Sequence, residues 1–239
     1  PALRWPLAMA PRSRAPRAPR PEDLPGILER LERLHGRPAK PPATTALEWV
    51  LWENAAYLVT DERRLDAYRA LRRATRLTPD GILALPREEL VRVARLGGMH
   101  PERRAEKLVA IAETVRDDFD GDLEAALALP LAQARRALKR FPGIGAPGAD
   151  KILLFTGAHA VPALESNGLR VLVRLGLARE GKSYAATYKT GIAALGDLRS
   201  AADLARAYEL LRAHGRAVCK NNDPRCEACP LADRCPAAA

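Results

Sequence analysis

CKNNDPRCEACPLADRC, residues 219–235, holds all four cysteines of a 239-residue chain: Cys219, Cys226, Cys229 and Cys235, at gaps of six, two and five residues. Structural zinc sites usually join two close Cys pairs across a longer loop, and here only Cys226 and Cys229 form a C-x2-C pair. Four thiols from one short wrap of backbone suit a [4Fe-4S] cluster, which takes one thiolate per iron. Zinc and a disulfide pair stand as the alternatives, the latter weakened by the small number of cysteines and the lack of extracellular cues. Pro224, Pro230 and Pro236 restrict the turns between the thiols, as in a loop preformed around a ligand.

Upstream of this loop the apolar period is helical and no run alternates like a strand, so the fold class is all-α. Ile27, Leu28, Leu31 and Leu34 are expected on one face of a first helix, and Leu47, Val50, Leu51, Asn54 and Leu58 on a second entered from Thr44 and Thr45. Asp61 is the expected cap of a third helix carrying Leu65, Tyr68 and Leu71. Thr78-Pro79 opens a short helix, and LPREELVRVARLGG closes at Gly97-Gly98. HPERRAEKLVAIAETVRDDF, LEAALALPLAQARRALKRF, APGADKILLF, SNGLRVLVRLGL, SYAATYKTGIAAL and SAADLARAYELLRAHGRAVC complete a set of ten or eleven helices. The proline-rich PAKPP at 38–42 reads as a linker.

The chain is long enough to bury a core and to split into two modest domains. Its formal charge is +10, but residues 1–20 carry five arginines and no acid, leaving 34 basic against 29 acidic side chains elsewhere. Residues 1–21 are expected to form a flexible basic arm, with Met9 a candidate start, because the repeated prolines oppose the amphipathic helix of a transit peptide. A basic excess favours a polyanionic partner through counterion release. No apolar run reaches the length of a membrane span; the heavy use of Ala, Arg, Leu and Pro suggests a bacterial protein, and the expected location is cytoplasmic and nucleoid-associated.

A second stretch, LKRFPGIGAPGADKI at 138–152, reads as helix, glycine hairpin, helix. Gly143 and Gly145 allow the tight turn and Ile144 can plug between the helices. The helix that follows presents its amide-rich positive end, a seat for phosphate that reads no base. This hairpin, then a carboxylate in ALESNGLRVLVRLG, then HGRAVC-x6-C-x2-C-x5-C, resembles the endonuclease III branch of the helix-hairpin-helix DNA glycosylases from about residue 22 to 236.

After the arm at 1–21, the resemblance implies a first helix and linker at 22–41 that pack with the C-terminal domain, a six-helix barrel with the hairpin at 42–158, and an iron-sulfur domain at 159–239. It implies a monomer acting on double-stranded DNA, with a damaged or mismatched base flipped into the cleft between the domains. Members that also cut the strand carry a lysine second after the hairpin's last glycine, and that position here is Pro147. The family's catalytic aspartate falls on Glu165, one methylene longer. The expected activity is therefore a monofunctional glycosylase with Glu165 as its carboxylate. Two alternatives are a catalytically weak or inactive lesion-binding protein, and an abasic-site lyase using Lys151, one turn after Pro147, or the N-terminal amine.

Asn54 matches a family glutamine that fills the space left by the flipped base, Met99 falls where relatives place a wedge, and His100 follows it. With Gly143, Ile144, Gly145 and Lys151 these make the expected DNA-binding set. Trp52 is the candidate stacking platform of the base pocket, and Glu53 its neighbour. The pocket-lining stretches match no one substrate class, and the lack of a lesion-recognition domain after Ala239 argues against a full mismatch-adenine enzyme.

Overall fold

The computed structural model describes residues 19–37 and 39–238; the basic arm expected at 1–21 lies almost wholly outside them. Every regular element among the described residues is helical. Twelve α-helices follow one another: α1 Leu24–His35, α2 Ala46–Ala55, α3 Asp61–Thr75, α4 Pro79–Ala84, α5 Arg87–Arg95, α6 Pro101–Phe119, α7 Leu123–Leu127, α8 Leu131–Leu138, α9 Ala146–Phe155, α10 Ser166–Arg174, α11 Tyr184–Ala194 and α12 Ala201–Ala217. Short 3-10 turns at Cys226–Ala228, Ala232–Arg234 and Pro236–Ala238 carry the C-terminal loop. The chain divides into two compact units, one made of the chain up to Lys40 and from Ala160 onward, the other Pro41–His159.

Hydroxyl and carboxylate caps start most of these helices. Thr45, Thr60 and Thr78 accept the backbone N–H groups of Glu48, Arg63 and Gly81, and Ser183 and Ser200 do the same for α11 and α12. Several expected boundaries move. The cap of α3 is Thr60, with Asp61 its first residue. The segment 123–141 is two helices, because Pro130 offers no N–H to continue the first. The second helix stops at Ala55, which leaves Leu58 outside it, 74% exposed at φ 53°. Leu34, expected in the core, is 46% exposed, while Leu24, Ile27, Leu28 and Leu31 are buried.

In the unit Pro41–His159, the nineteen-residue α6 packs against α2, α4 and α5 and buries Leu108, Ile111, Ala112 and Val115. The unit contains eight helical segments, of which α4 and α7 have only six and five residues. In the other unit α12 packs against α10 and α1. Gly215 lets α10 approach, since a Cβ there would stand 2.4 Å from the Asn167 carbonyl oxygen. Gly191 does the same for α11, whose added Cβ would fall 2.4 Å from Leu169 Cδ1.

Candidate functional site

The hairpin joins α8 to α9. Gly143 sits at φ 76°, where only glycine is unstrained, and Gly145 is the N-cap of α9 at an ordinary φ of −91°. Ile144 is 5% exposed and rests on Gly148, so its side chain braces the turn and leaves the surface to backbone. Pro147 occupies the second position of α9 and has no N–H. The remaining first-turn amides, Ala146 and Gly148, have no partner within the helix.

Asn54 closes the hairpin from the side. It is 7% exposed, donates Nδ2–H to its own Val50 carbonyl at 3.0 Å, and turns Oδ1 toward Gly143, where an added Cβ would lie 3.1 Å away. Any side chain at 143 therefore meets both positive φ and Asn54. Lys151, expected in the DNA-binding set, is drawn inward: its Nζ donates to Glu53 Oε1 at 2.5 Å and stands 5.6 Å over the Trp49 ring. Only 12% of its side chain is exposed, and 21% of that of Glu53. Trp52, the expected stacking platform, is 8% exposed and packs edge-on to Tyr68 at 5.2 Å, with the Arg64 guanidinium 5.6 Å from its ring. It belongs to the core of the unit.

Met99 and His100 lie on the exposed loop that enters α6, Met99 56% exposed and His100 in the left-handed region at φ 57°. Arg104, 6% exposed, donates to the carbonyls of Ala94 and Gly98 and fixes this loop from beneath.

Glu165 is the N-cap of α10. Its Oε1 accepts the Gly168 N–H and its Oε2 accepts Asn167 Nδ2–H, each at 2.7 Å. A carboxylate has about four lone-pair sites, so roughly two stay open on a group whose direction is fixed. The network continues inward. Asn167 Oδ1 accepts from Arg170 Nη2 at 2.8 Å, and Arg170, 4% exposed, also donates to the carbonyls of Gly215 and Cys219. Arg174, one turn on, donates to the Lys220 and Asn221 carbonyls and to Cys219 Sγ at 3.5 Å. These two arginines link the carboxylate helix to the cysteine loop. The sequence signal for them was two guanidinium groups four residues apart in an otherwise apolar helix.

All four cysteines are free thiols lining one pocket with Arg174, Val218 and Pro224. Among the described residues no group of three or more His, Cys, Asp or Glu closes on a single metal-ion position. Burial pushes the Cys229 thiol up to about 11, and burial together with the neighbouring Cys219 raises Cys226 and Cys235 as well. His214, 1% exposed, points Nε2 at Cys229 Sγ at 3.4 Å and Nδ1 at His35 Nε2 at 3.1 Å.

No protein-family model matches the chain. Among curated proteins, an endonuclease III of Sulfolobus acidocaldarius is 28% identical over 195 residues, 80% of this chain and 80% of that one. A thymine-DNA glycosylase of Aeropyrum pernix is 27% identical over 208 residues, 85% of this chain and 88% of its own length. Among solved structures, an endonuclease III trapped as a covalent intermediate with DNA superposes with a TM-score of 0.72 at 21% identity, over 90% of this chain and 95% of that one. A thermostable thymine-DNA glycosylase gives 0.71 at 17% identity, over 90% and 94%. The superpositions show that the fold is shared.

Proposed function

We propose that this chain, a member of the endonuclease III-like family of helix-hairpin-helix DNA glycosylases, is a monofunctional glycosylase. It would hydrolyse the N-glycosidic bond of a damaged or mismatched base in double-stranded DNA, with Glu165 as the carboxylate that meets the sugar. One observation carries the monofunctional reading: Pro147 stands at the second position of α9, and Lys151, the lysine one turn later, is held by Glu53. A Schiff base needs an uncharged amine free to reach the sugar's first carbon. A proline nitrogen inside a peptide bond is no such amine, and the Lys151 Nζ is engaged by Glu53.

Hydrolysis instead requires that water supply the oxygen. As the bond from the first carbon to the base nitrogen breaks, positive charge develops on the sugar. Water then adds to that carbon, and its proton leaves with the base. A carboxylate fixed beside the sugar favours this cationic stage. The bonds from Gly168 and Asn167 support the role, because they aim Glu165 before substrate arrives while leaving lone pairs for a water or for the sugar. The extra methylene relative to the family's aspartate lengthens its reach.

We infer further that the four cysteines hold a [4Fe-4S] cluster. Four thiols brought to one pocket by a single short loop support this reading, because a cubane cluster takes one thiolate per iron. When bound, the cluster supplies iron–thiolate bonds that tie the C-terminal loop together. The bond-breaking chemistry falls to Glu165 and water.

Single-turnover base release by wild type, Glu165→Asp and Glu165→Gln tests the assignment. Glu165→Gln retains an oxygen for the Gly168 N–H but loses the charge, so release should fall at least 100-fold with lesion binding retained, while Glu165→Asp keeps measurable activity. Full release by Glu165→Gln contradicts the catalytic role. Lesion binding with no release by any of the three proteins assigns the chain to damage recognition instead.

A further inference from the structure

His35 closes α1, and its part-buried ring points toward α12. Its Nε2 faces Nδ1 of His214 at 3.1 Å, and the two rings meet edge to face with centroids 5.3 Å apart. His214 is 1% exposed, and its other nitrogen, Nε2, lies 3.4 Å from Cys229 Sγ. A row of three side chains therefore runs from the end of α1 through α12 to one of the four thiols. All three residues belong to the same compact unit.

The surroundings hold this row in place. Arg206, eight residues before His214 on α12, donates from Nε and Nη2 to Glu32 Oε2 of α1 at 3.0 and 2.6 Å. The His214 carbonyl accepts the N–H groups of both Val218 and Cys219 at 2.9 Å, so the residue that carries the ring also anchors the start of the cysteine loop. An apolar side chain would fill the space between α1 and α12 with no nitrogen to satisfy, whereas a buried imidazole needs partners for its nitrogens. The two ring nitrogens are thus the feature to explain.

The sulfur decides the direction of the bond. A thiolate bound to iron has lone pairs and no proton, so the proton at this contact sits on His214 Nε2 and the sulfur accepts it. That holds whichever of the two facing nitrogens of His35 and His214 carries the proton between them. The Leu231 backbone N–H bonds to the same sulfur, and Arg174 Nη1 stands 3.5 Å from Cys219 Sγ. A hydrogen bond to a ligating sulfur draws off negative charge and favours the state that holds the extra electron.

Resting on the cluster reading above, we propose that His35 and His214 are positioning residues that set the reduction potential of the iron-sulfur group, His214 by donating to the Cys229 sulfur and His35 by holding the ring in line. The reaction they oppose is loss of one electron from the cluster to an external oxidant such as ferricyanide, which becomes ferrocyanide. The donated bond makes that electron harder to remove and so guards the cluster against oxidative loss.

Voltammetry of the iron-loaded full chain at one fixed pH, on wild type, His214→Phe, His214→Gln and His35→Leu, tests this. His214→Phe keeps a ring without an N–H, and its midpoint should fall by about 59 mV, the shift that makes a one-electron couple tenfold more oxidised at a given poise. His35→Leu should fall in the same direction. His214→Gln, whose amide can donate to the sulfur, should recover most of the shift, and bleaching by ferricyanide should be faster than wild type in His214→Phe and near wild type in His214→Gln. A midpoint unchanged in His214→Phe or in His35→Leu overturns the proposal. So does an equal fall in His214→Phe and His214→Gln, which would assign the shift to packing. If His214→Phe holds no iron, His35→Leu decides alone. A wild-type protein that holds no iron overturns the cluster reading, and this proposal with it.

Discussion

The bonds by which Glu165 caps α10 are also the bonds that fix the direction of its carboxylate. Glu165 and Pro147 were singled out through the family resemblance, whose hairpin and cysteine motifs set a register along the chain. Arg170 and Arg174 were not singled out. A charged residue on a helix reads as surface until the carbonyls that receive it are known, and those of Gly215, Cys219, Lys220 and Asn221 lie over forty residues away. Lys151 and Trp52 erred in the same direction, their burial arising from Glu53 and Tyr68 rather than from neighbours in sequence. The hairpin allows a prediction with two opposite signs. At Gly145 an added Cβ meets only Pro147 Cδ at 3.8 Å, and aspartate is a favoured N-cap, so Gly145→Asp should fold with unchanged or higher thermal stability. If the hairpin is the phosphate seat proposed for it, the same carboxylate repels the backbone, and duplex affinity should fall about tenfold for every sequence, with a shallower salt dependence. Binding assays across a salt series check this; unchanged affinity would move the phosphate seat elsewhere.

At the scale of elements, helix identity was more legible than helix ends. The apolar period of α6 or α12 persists over seventeen or more residues, whereas Leu58 continued the period of α2 by coincidence after the helix had stopped at Ala55. That coincidence hid the exposure of Leu58. The packing of α1 against α12 has a pH dependence that the sequence did not disclose. His214 on α12 is buried against His35 on α1, and burial, aided by the His35 charge, pulls it down to about 4. An unfolded chain takes up that proton near pH 6.5, so between pH 6.5 and 4 the unfolded state binds more protons than the folded one. Stability is then complete above pH 6.5 and is lost as the pH falls through this window, by on the order of 3 kcal/mol in total. Urea midpoints of the protein without bound metal should drop from pH 7 to pH 4.5, and less steeply in His214→Gln. Identical profiles for the two proteins would show that His214 is not the group responsible.

For the whole molecule, the all-helical fold and the order hairpin, carboxylate, cysteine loop followed from a few motifs with strict spacing, while the division into units drew on residues far apart in sequence, α1 joining helices that begin after Ala160. The central claim is that this chain removes a base and leaves the strand whole. Duplexes carrying oxidised, alkylated and mismatched bases, incubated with the metal-loaded protein and resolved on denaturing gels with and without alkali, test it most directly. At least one substrate should yield an abasic site on an intact strand, cleaved only after alkali, with no covalent adduct on borohydride addition. Strand cleavage without alkali, together with a borohydride-trapped adduct that disappears in Lys151→Ala, would contradict the account.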